Sequence, residues 1–329
     1  MRKTPPVRAF HRPPSQPGEA ARSSLAPFMR PTPVLPTAWA ESEAKTRRPF
    51  GLVGTHIAEL KHEDGLRVER LVFQCEESVT ATLVVDGHGG HKAAALVVDE
   101  LFQKLVEHVD NLGGPSSDNL QEACTSAFAE LHERITSPEF ASSSGTTATL
   151  IIINEVRGEV TCCSVGDSFA ILVTPPTSGY DGESRNARAS ELTWNPRIEN
   201  NAAERKRILD AGGKVGRAKS FDGGPSGPLR AWPGGVACAS ALGDADCGSF
   251  ISAMPNCCTK PMPTAPGAKV VLASDGLWDA LSFAEVAKVA LQTRDPAAAA
   301  ERLVRKAVRG KGLRDDVSDD GRARESPLQ

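Results

Sequence analysis

No apolar run in the 329-residue sequence approaches the roughly 20 residues that a membrane-crossing helix needs. The longest β-like run, ATLIII at 148–153, is strand-sized. A secretory signal peptide is not recognisable, so export is not expected. The eight cysteines are Cys75, Cys124, Cys162, Cys163, Cys238, Cys247, Cys257 and Cys258, and none forms a C-x-x-C pair. That spacing argues against zinc and dithiol chemistry, and buried reduced thiols in an intracellular protein are expected in preference to disulfides. Net charge is only −3, so no global field draws the chain to nucleic acid or anionic lipid. Aromatic residues make up 5 % of the chain and offer no stacking platform for bases. Internal repeats are absent.

What is there divides into three parts. The first 40 residues hold nine prolines, six Lys or Arg and one acid, Glu19. Such a segment cannot bury enough apolar surface to offset its ordering entropy, so 1–48 reads as a disordered basic tail. An organelle transit peptide is the competing reading, opposed by the proline density. Residues 49–318 read as a folded domain, and 319–329 as a polar tail. Two β-like runs, 67–75 and 79–85, flank a short polar turn and predict a hairpin. Helical spacing follows at 91–109 and at about 119–135, the latter with Asp118 and Gln121 at capping-box spacing. Runs at 147–153, 159–165 and 169–173 with short links predict an antiparallel meander, not β-α-β crossovers. Residues 174–190 and 216–235 read as long loops, with a helix at 200–211 between them that stops at Gly212-Gly213. A strand at 269–274, a helix capped by Ser282 and Glu285, and a helix at 296–309 complete the pattern. The basic residues of that last helix, Arg302, Arg305, Lys306 and Arg309, read as its wet side rather than as a phosphate-binding face.

Two apolar runs end in Asp-Gly, at "TLVVDGHGGH" (82–91) and "KVVLASDGLWDAL" (269–281). In a hairpin of 67–75 with 79–85, Glu63 and Asp64 fall near Asp86. Acids gathered at a sheet edge repel one another unless a cation neutralises them. Oxygen ligands without cysteine favour Mg²⁺ or Mn²⁺ over zinc. Gly87, lacking a side chain, lets its carbonyl approach such an ion. His88 has the pKa range of a general acid. Taken singly, each of these residues reads equally well as a surface acid or a turn residue, and so do Asp167 in "VGDSF" and the pair Asp315-Asp316.

The ordered motifs "VVDGHGG", "SGTTATLIII" (144–153), "CSVGDSFAIL" (163–172), "LTWNPRIENNAAERKRILDAGGKV" (192–215), "GPLRAWPGGVACASALGDADC" (227–247) and "LASDGLWDAL" (272–281) resemble the metal-dependent protein Ser/Thr phosphatases of the protein phosphatase 2C family. The resemblance covers about 50–318. It implies an α+β fold, a four-layer αββα sandwich of two antiparallel sheets flanked by helices. It implies one metal on Asp86, Asp275 and Asp315, and a second on Glu63, Asp86 and the Gly87 carbonyl. Asp64 would hold a water of the metal, and Asp167 and Asp279 match the acids of a third ion found in some members. His88 and Asp86 are then the catalytic candidates. The 216–235 loop would be the flap beside the site.

The sequence departs from the family at Glu59, where a phosphate-binding arginine is usual; Lys61 or His62 would take over substrate binding. Phe169 replaces a common arginine, "ASALGD" lacks the usual Ser-Arg, "WNP" lacks the usual Asp-His, and Asp316 stands where the closing motif has Asn. The expected function is Mg²⁺/Mn²⁺-dependent hydrolysis of phosphoserine or phosphothreonine by an activated water. The alternative is a pseudophosphatase that binds phosphoproteins without turnover. A phosphoprotein substrate, no nucleic-acid or membrane partner, a monomer, and a cytoplasmic or nuclear setting complete the expectation.

Overall fold

The computed structural model describes residues 53–55, 63–140, 143–176, 187–220, 223–244, 246–263 and 266–311. The expected tail 1–48, Glu59, Lys61, His62, Asp315, Asp316 and the segment 319–329 lie outside them.

Strands β1 (Gly65–Val72) and β2 (Ser78–Val85) form the expected hairpin, in register from Gly65↔Val85 to Val72↔Ser78. On β2 the alternate residues Val79, Ala81, Leu83 and Val85 are buried, as period-two pleating requires. The short strand β3 (Gly87–His88) leads into helices α1 (Lys92–Asn111) and α2 (Ser117–Thr136). Their stripes Val97, Leu101, Leu105 and Leu120, Cys124, Ala127, Leu131 are buried at helical spacing. The cap of α2 is Ser116, not Asp118: its hydroxyl accepts from the Asn119 N–H at 3.2 Å.

Next come β4 (Gly145–Thr146), β5 (Ala148–Asn154), β6 (Glu159–Val165), β7 (Phe169–Thr174) and β8 (Arg188–Glu191). Helix α3 (Ala202–Asp210) starts at the Asn201 cap. Strands β9 (Lys214–Lys219), β10 (Pro225–Trp232), β11 (Leu242–Gly243), β12 (Asn256–Pro261) and β13 (Lys269–Ala273) follow. Short α4 (Asp275–Trp278), then α5 (Phe283–Gln292) with its Ser282/Glu285 capping box, and α6 (Pro296–Lys311) complete the order.

The layers follow from which face each side chain takes. The five-stranded sheet β1-β2-β5-β6-β12 turns Leu83, Leu150, Ile152, Cys163 and Val165 toward α1 and α2. Its other face, with Ile151, Val160 and Cys162, meets Ala170 and Leu172 of the three-stranded sheet β13-β7-β8. The far side of that second sheet, Ile171 and Val173, packs on Leu277, Val286, Val289, Leu303 and Ala307 of the three C-terminal helices. Helix, sheet, sheet, helix is the αββα sandwich the resemblance implies.

Three further local expectations are corrected. The 147–173 stretch is not one meander: β5 and β6 pair, but β7 crosses to the second sheet, and β12 takes the place beside β6. The "loop" 216–235 contains most of a hairpin, β9 with β10, whose register shifts between Ser226 and Leu229 around Gly227-Pro228. Asp275-Gly276, which follows β13, opens the α4 turn of helix. Cys163 and Cys257, register partners on β6 and β12, are joined as a disulfide. Other thiols match the expectation: Cys124, Cys162 and Cys247 are free and buried. Burial pushes the Cys124 thiol up to about 12, which leaves it inert filler.

The basic face of α6 is the wet side expected. Arg305 pairs with Glu301, Lys306 with Glu285, and Arg302 donates to Thr293 Oγ1.

Candidate functional site

The β1–β2 hairpin brings the first acids together. Beyond its last pair, Gly65↔Val85, the next residues are Asp64 and Asp86. The chain then closes on itself, since the Gly87 N–H donates to the Glu63 carbonyl at 3.2 Å. A Cβ at Gly87 would stand 2.5 Å from that oxygen, so only glycine permits this approach. The Glu63 carboxylate accepts from the Gly90 N–H at 2.8 Å. The Asp86 backbone is fixed by β4 and its neighbour: its N–H donates to Thr147 Oγ1 at 3.0 Å, and its carbonyl accepts from the Thr147 N–H at 2.9 Å.

Thr147 is also the link to the second group of acids. Its hydroxyl lies 3.0 Å from Ser168 Oγ, and Gly166, at φ +93°, leaves room for it where a Cβ would overlap at 2.4 Å. Asp167 sits in this turn. Its carboxylate accepts from Arg197 Nε at 2.7 Å, while Arg197 Nη2 reaches Asp275 at 2.8 Å and Nη1 reaches Asp279 at 2.6 Å. One guanidinium therefore gathers three of the four acids expected on the Asp167/Asp275 side, the fourth being Asp315. Burial lowers the Arg197 pKa and the surrounding carboxylates raise it; the carboxylates win, and the group is held above its ordinary value. Phe169, Trp278 and Phe283 pack edge-on or tilted at 5.3–6.4 Å between centroids and brace the Asp167 turn against α4.

His88 is held from a third direction. Its Nε2 lies 2.8 Å from each oxygen of Asp244, whose carboxylate is fully buried. Strand β4 separates β3 from β11, with Gly145 opposite both His88 and Gly243. Gly145 has no side chain, and the imidazole reaches across it. Asp244 takes φ +57°, a costly backbone for a non-glycine residue. Behind it, the Gly243 N–H donates to His132 Nδ1 at 3.1 Å. That bond needs an unprotonated nitrogen, and burial holds the His132 pKa below its ordinary value of 6.5, with the Asp244 charge opposing. The unfolded chain thus binds this proton more readily than the folded one. His132 contributes stability that is fully present above pH 6.5 and is lost as pH falls toward the folded pKa. His132→Asn, which keeps an acceptor, should flatten this slope in melting curves taken across the mildly acidic range. An unchanged slope would assign the dependence to another group.

The expected residues thus separate into those brought together (Glu63, Asp64, Asp86, Gly87 and His88; Asp167, Asp275 and Asp279) and those outside the described residues (Lys61, His62 and Asp315). Sequence reasoning missed Arg197, Asp244, Gly145 and Thr147. The Gly-Asp of "ASALGD" and the Asn-Pro before Arg197 were visible, but their partners were not. The donor set suits a hard divalent cation: carboxylates and a carbonyl near strand ends, three of the carboxylates arranged around one positive group. Among the described residues, Asp244, Asp246 and Cys247 also bring ligand atoms within 4.8 Å of one another. That set includes a buried thiol, and its Asp244 is engaged by His88, so it suits a hard cation less well.

A family model described as protein phosphatase 2C matches residues 43–315. The chain is 34 % identical over 280 residues to "Probable protein phosphatase 2C 5" of Arabidopsis thaliana, covering 83 % of this chain and 62 % of that protein. It is 33 % identical over 312 residues to "Probable protein phosphatase 2C 15" of Oryza sativa subsp. japonica, covering 92 % and 64 %. The chain spans less than two thirds of the length of these relatives. Among solved structures it is similar to a C. elegans sex determining protein, at TM-score 0.61 and 24 % identity over 79 % of this chain and 60 % of that one. It is also similar to serine-threonine phosphatase 2C from Toxoplasma gondii, at TM-score 0.56 and 19 % identity over 73 % and 81 %. At these identities the structures speak to fold alone.

Proposed function

Because the chain belongs to the protein phosphatase 2C family, we propose that it hydrolyses phosphoserine and phosphothreonine in proteins with the aid of Mg²⁺ or Mn²⁺. The observation that most supports this is the gathering of Asp167, Asp275 and Asp279 around one guanidinium, with Asp86 tied in through Thr147 and Ser168. Asp86, Asp275 and Asp315 would hold one ion, and Glu63, Asp86 and the Gly87 carbonyl a second. Asp64 would act through a water, and Asp167 and Asp279 would serve a third ion. Bound there, the ions supply an acidified water as nucleophile and positive charge against the phosphoryl oxygens.

The chain's own residues do the rest. The serine or threonine alkoxide is a poor leaving group and needs a proton as the P–O bond breaks. His88 supplies it. Asp244 holds His88 by Nε2, so the proton delivered to the leaving oxygen comes from Nδ1. The same carboxylate stabilises the imidazolium before transfer. Lys61 or His62 would meet the substrate phosphate where Glu59 replaces the usual arginine. No helix among the described residues is long and apolar enough to cross a membrane; a phosphoprotein is the proposed partner of a monomer in the cytoplasm or nucleus.

Hydrolysis of a phosphothreonine peptide with and without Mn²⁺ tests the reading, and metal-dependent turnover is expected. Absence of turnover, with a melting temperature that still rises on adding Mn²⁺, would replace it by phosphoprotein binding without catalysis.

A further inference from the structure

We propose that Arg197 is a built-in counter-cation of the site, one that sets how strongly the Asp167, Asp275 and Asp279 edge takes up a divalent ion. The inference rests on the cation site proposed above and adds a residue that competes with the ion for the same carboxylates.

The geometry is specific. Three different nitrogens of Arg197 each donate to a different aspartate, at 2.7, 2.8 and 2.6 Å. Those aspartates come from two elements: Asp167 from the turn before β7, and Asp275 and Asp279 from the start of α4 and its C-cap. Arg197 and two of its partners are largely withdrawn from solvent, with side-chain exposures of 26 % for Arg197, 15 % for Asp167 and 17 % for Asp275. Charge at this edge is therefore weakly screened.

The backbone beneath Arg197 leaves it little choice. Asn195 Oδ1 accepts from the Arg197 N–H at 2.9 Å, Arg197 bridges to Cys238, and Ile198 is fully buried in a satellite core with Ile208 and Phe250. The guanidinium is thus delivered to the acids by a preorganised turn.

The consequence is electrostatic. Three carboxylates carry three negative charges, and Arg197 cancels one of them. A divalent ion arriving at this edge meets a weaker field and repulsion from the guanidinium. The arginine relieves carboxylate repulsion when no ion is present, and its removal exchanges that stability for ion affinity.

The test uses the full chain stripped of metal, with Mn²⁺ titrated calorimetrically and melting followed in parallel. Arg197→Gln should melt lower without metal, and should bind Mn²⁺ about tenfold or more tighter, or take up one more ion. Arg197→Lys, which keeps the charge, should bind Mn²⁺ as the wild type does. The difference between wild type and Arg197→Gln should largely persist as ionic strength rises, since charge at this edge is weakly screened. An Arg197→Gln chain that folds only when Mn²⁺ is added would equally support the inference. If wild type and Arg197→Gln bind Mn²⁺ with the same affinity and stoichiometry, Arg197 is only a tie between segments and the inference fails. If neither binds Mn²⁺, the cation site itself fails, which is a different result.

Discussion

Asp86→Asn should lower turnover of a phosphothreonine peptide by roughly a thousandfold, equivalent to about 4 kcal/mol of lost transition-state stabilisation. The carboxylate of Asp86 is the one that the family resemblance assigns to both ions. Asparagine keeps its shape and one carbonyl oxygen but removes the charge. The fold should survive, because Asp86 is anchored by its backbone: Thr147 accepts from its N–H and donates back to its carbonyl, and Thr146 Oγ1 adds a third bond at 3.2 Å. None of these involves the carboxylate. One negative charge fewer at a crowded sheet edge should leave the metal-free melting temperature unchanged or higher, while the rise on adding Mn²⁺ shrinks. Turnover that persists in Asp86→Asn would remove Asp86 from the ligand set. A lower metal-free melting temperature would mean that its carboxylate serves the fold instead.

What the sequence made legible was local. The β1–β2 hairpin joins strands with only residues 73–77 between them, so the meeting of Asp64 with Asp86 could be anticipated from the chain alone, although its register, centred two residues earlier than the expected turn, could not. The α5 capping box is equally local, Ser282 and Glu285 lying within one turn. The crossing of β7 was not legible. Both faces of β5 are buried, Leu150 and Ile152 on one side and Ile151 on the other, so period-two alternation vanishes and gives no hint of which sheet follows. Strand β12, NCCTKP, is short and polar and occupies a sheet edge, where hydrophobic pattern says little. In the site, the acids announced themselves by ending apolar runs. Their organisers did not: Asp244 meets His88 across 156 residues, and Arg197 reaches Asp279 across 82. Such pairs are decided by packing of the two sheets, which no window along the chain contains.

The other large effect is expected from a single methyl group. A Cβ at Gly145 would sit 2.5 Å from both His88 Nε2 and Asp244 Oδ2, atoms that now touch across it. Neither can yield cheaply. Asp244 is buried at φ +57°, and His88 is fixed on β3 opposite Gly145. Gly145→Ala should therefore separate the pair, and turnover should fall by about a hundredfold or more as the proton donor loses its orientation. It should also destabilise the fold by about 3 kcal/mol, because the buried Asp244 carboxylate loses the imidazole. Asp244→Asn separates the two contributions: the amide is neutral and needs no counter-charge, so most of the stability should remain while turnover still falls. Gly216→Ala, whose added Cβ would meet nothing within 4 Å, controls for the methyl group itself. Peptide turnover and urea melts on the three variants decide the matter. Full activity in Asp244→Asn would show that His88 needs no carboxylate behind it, and the cost of Gly145→Ala would then belong to packing alone.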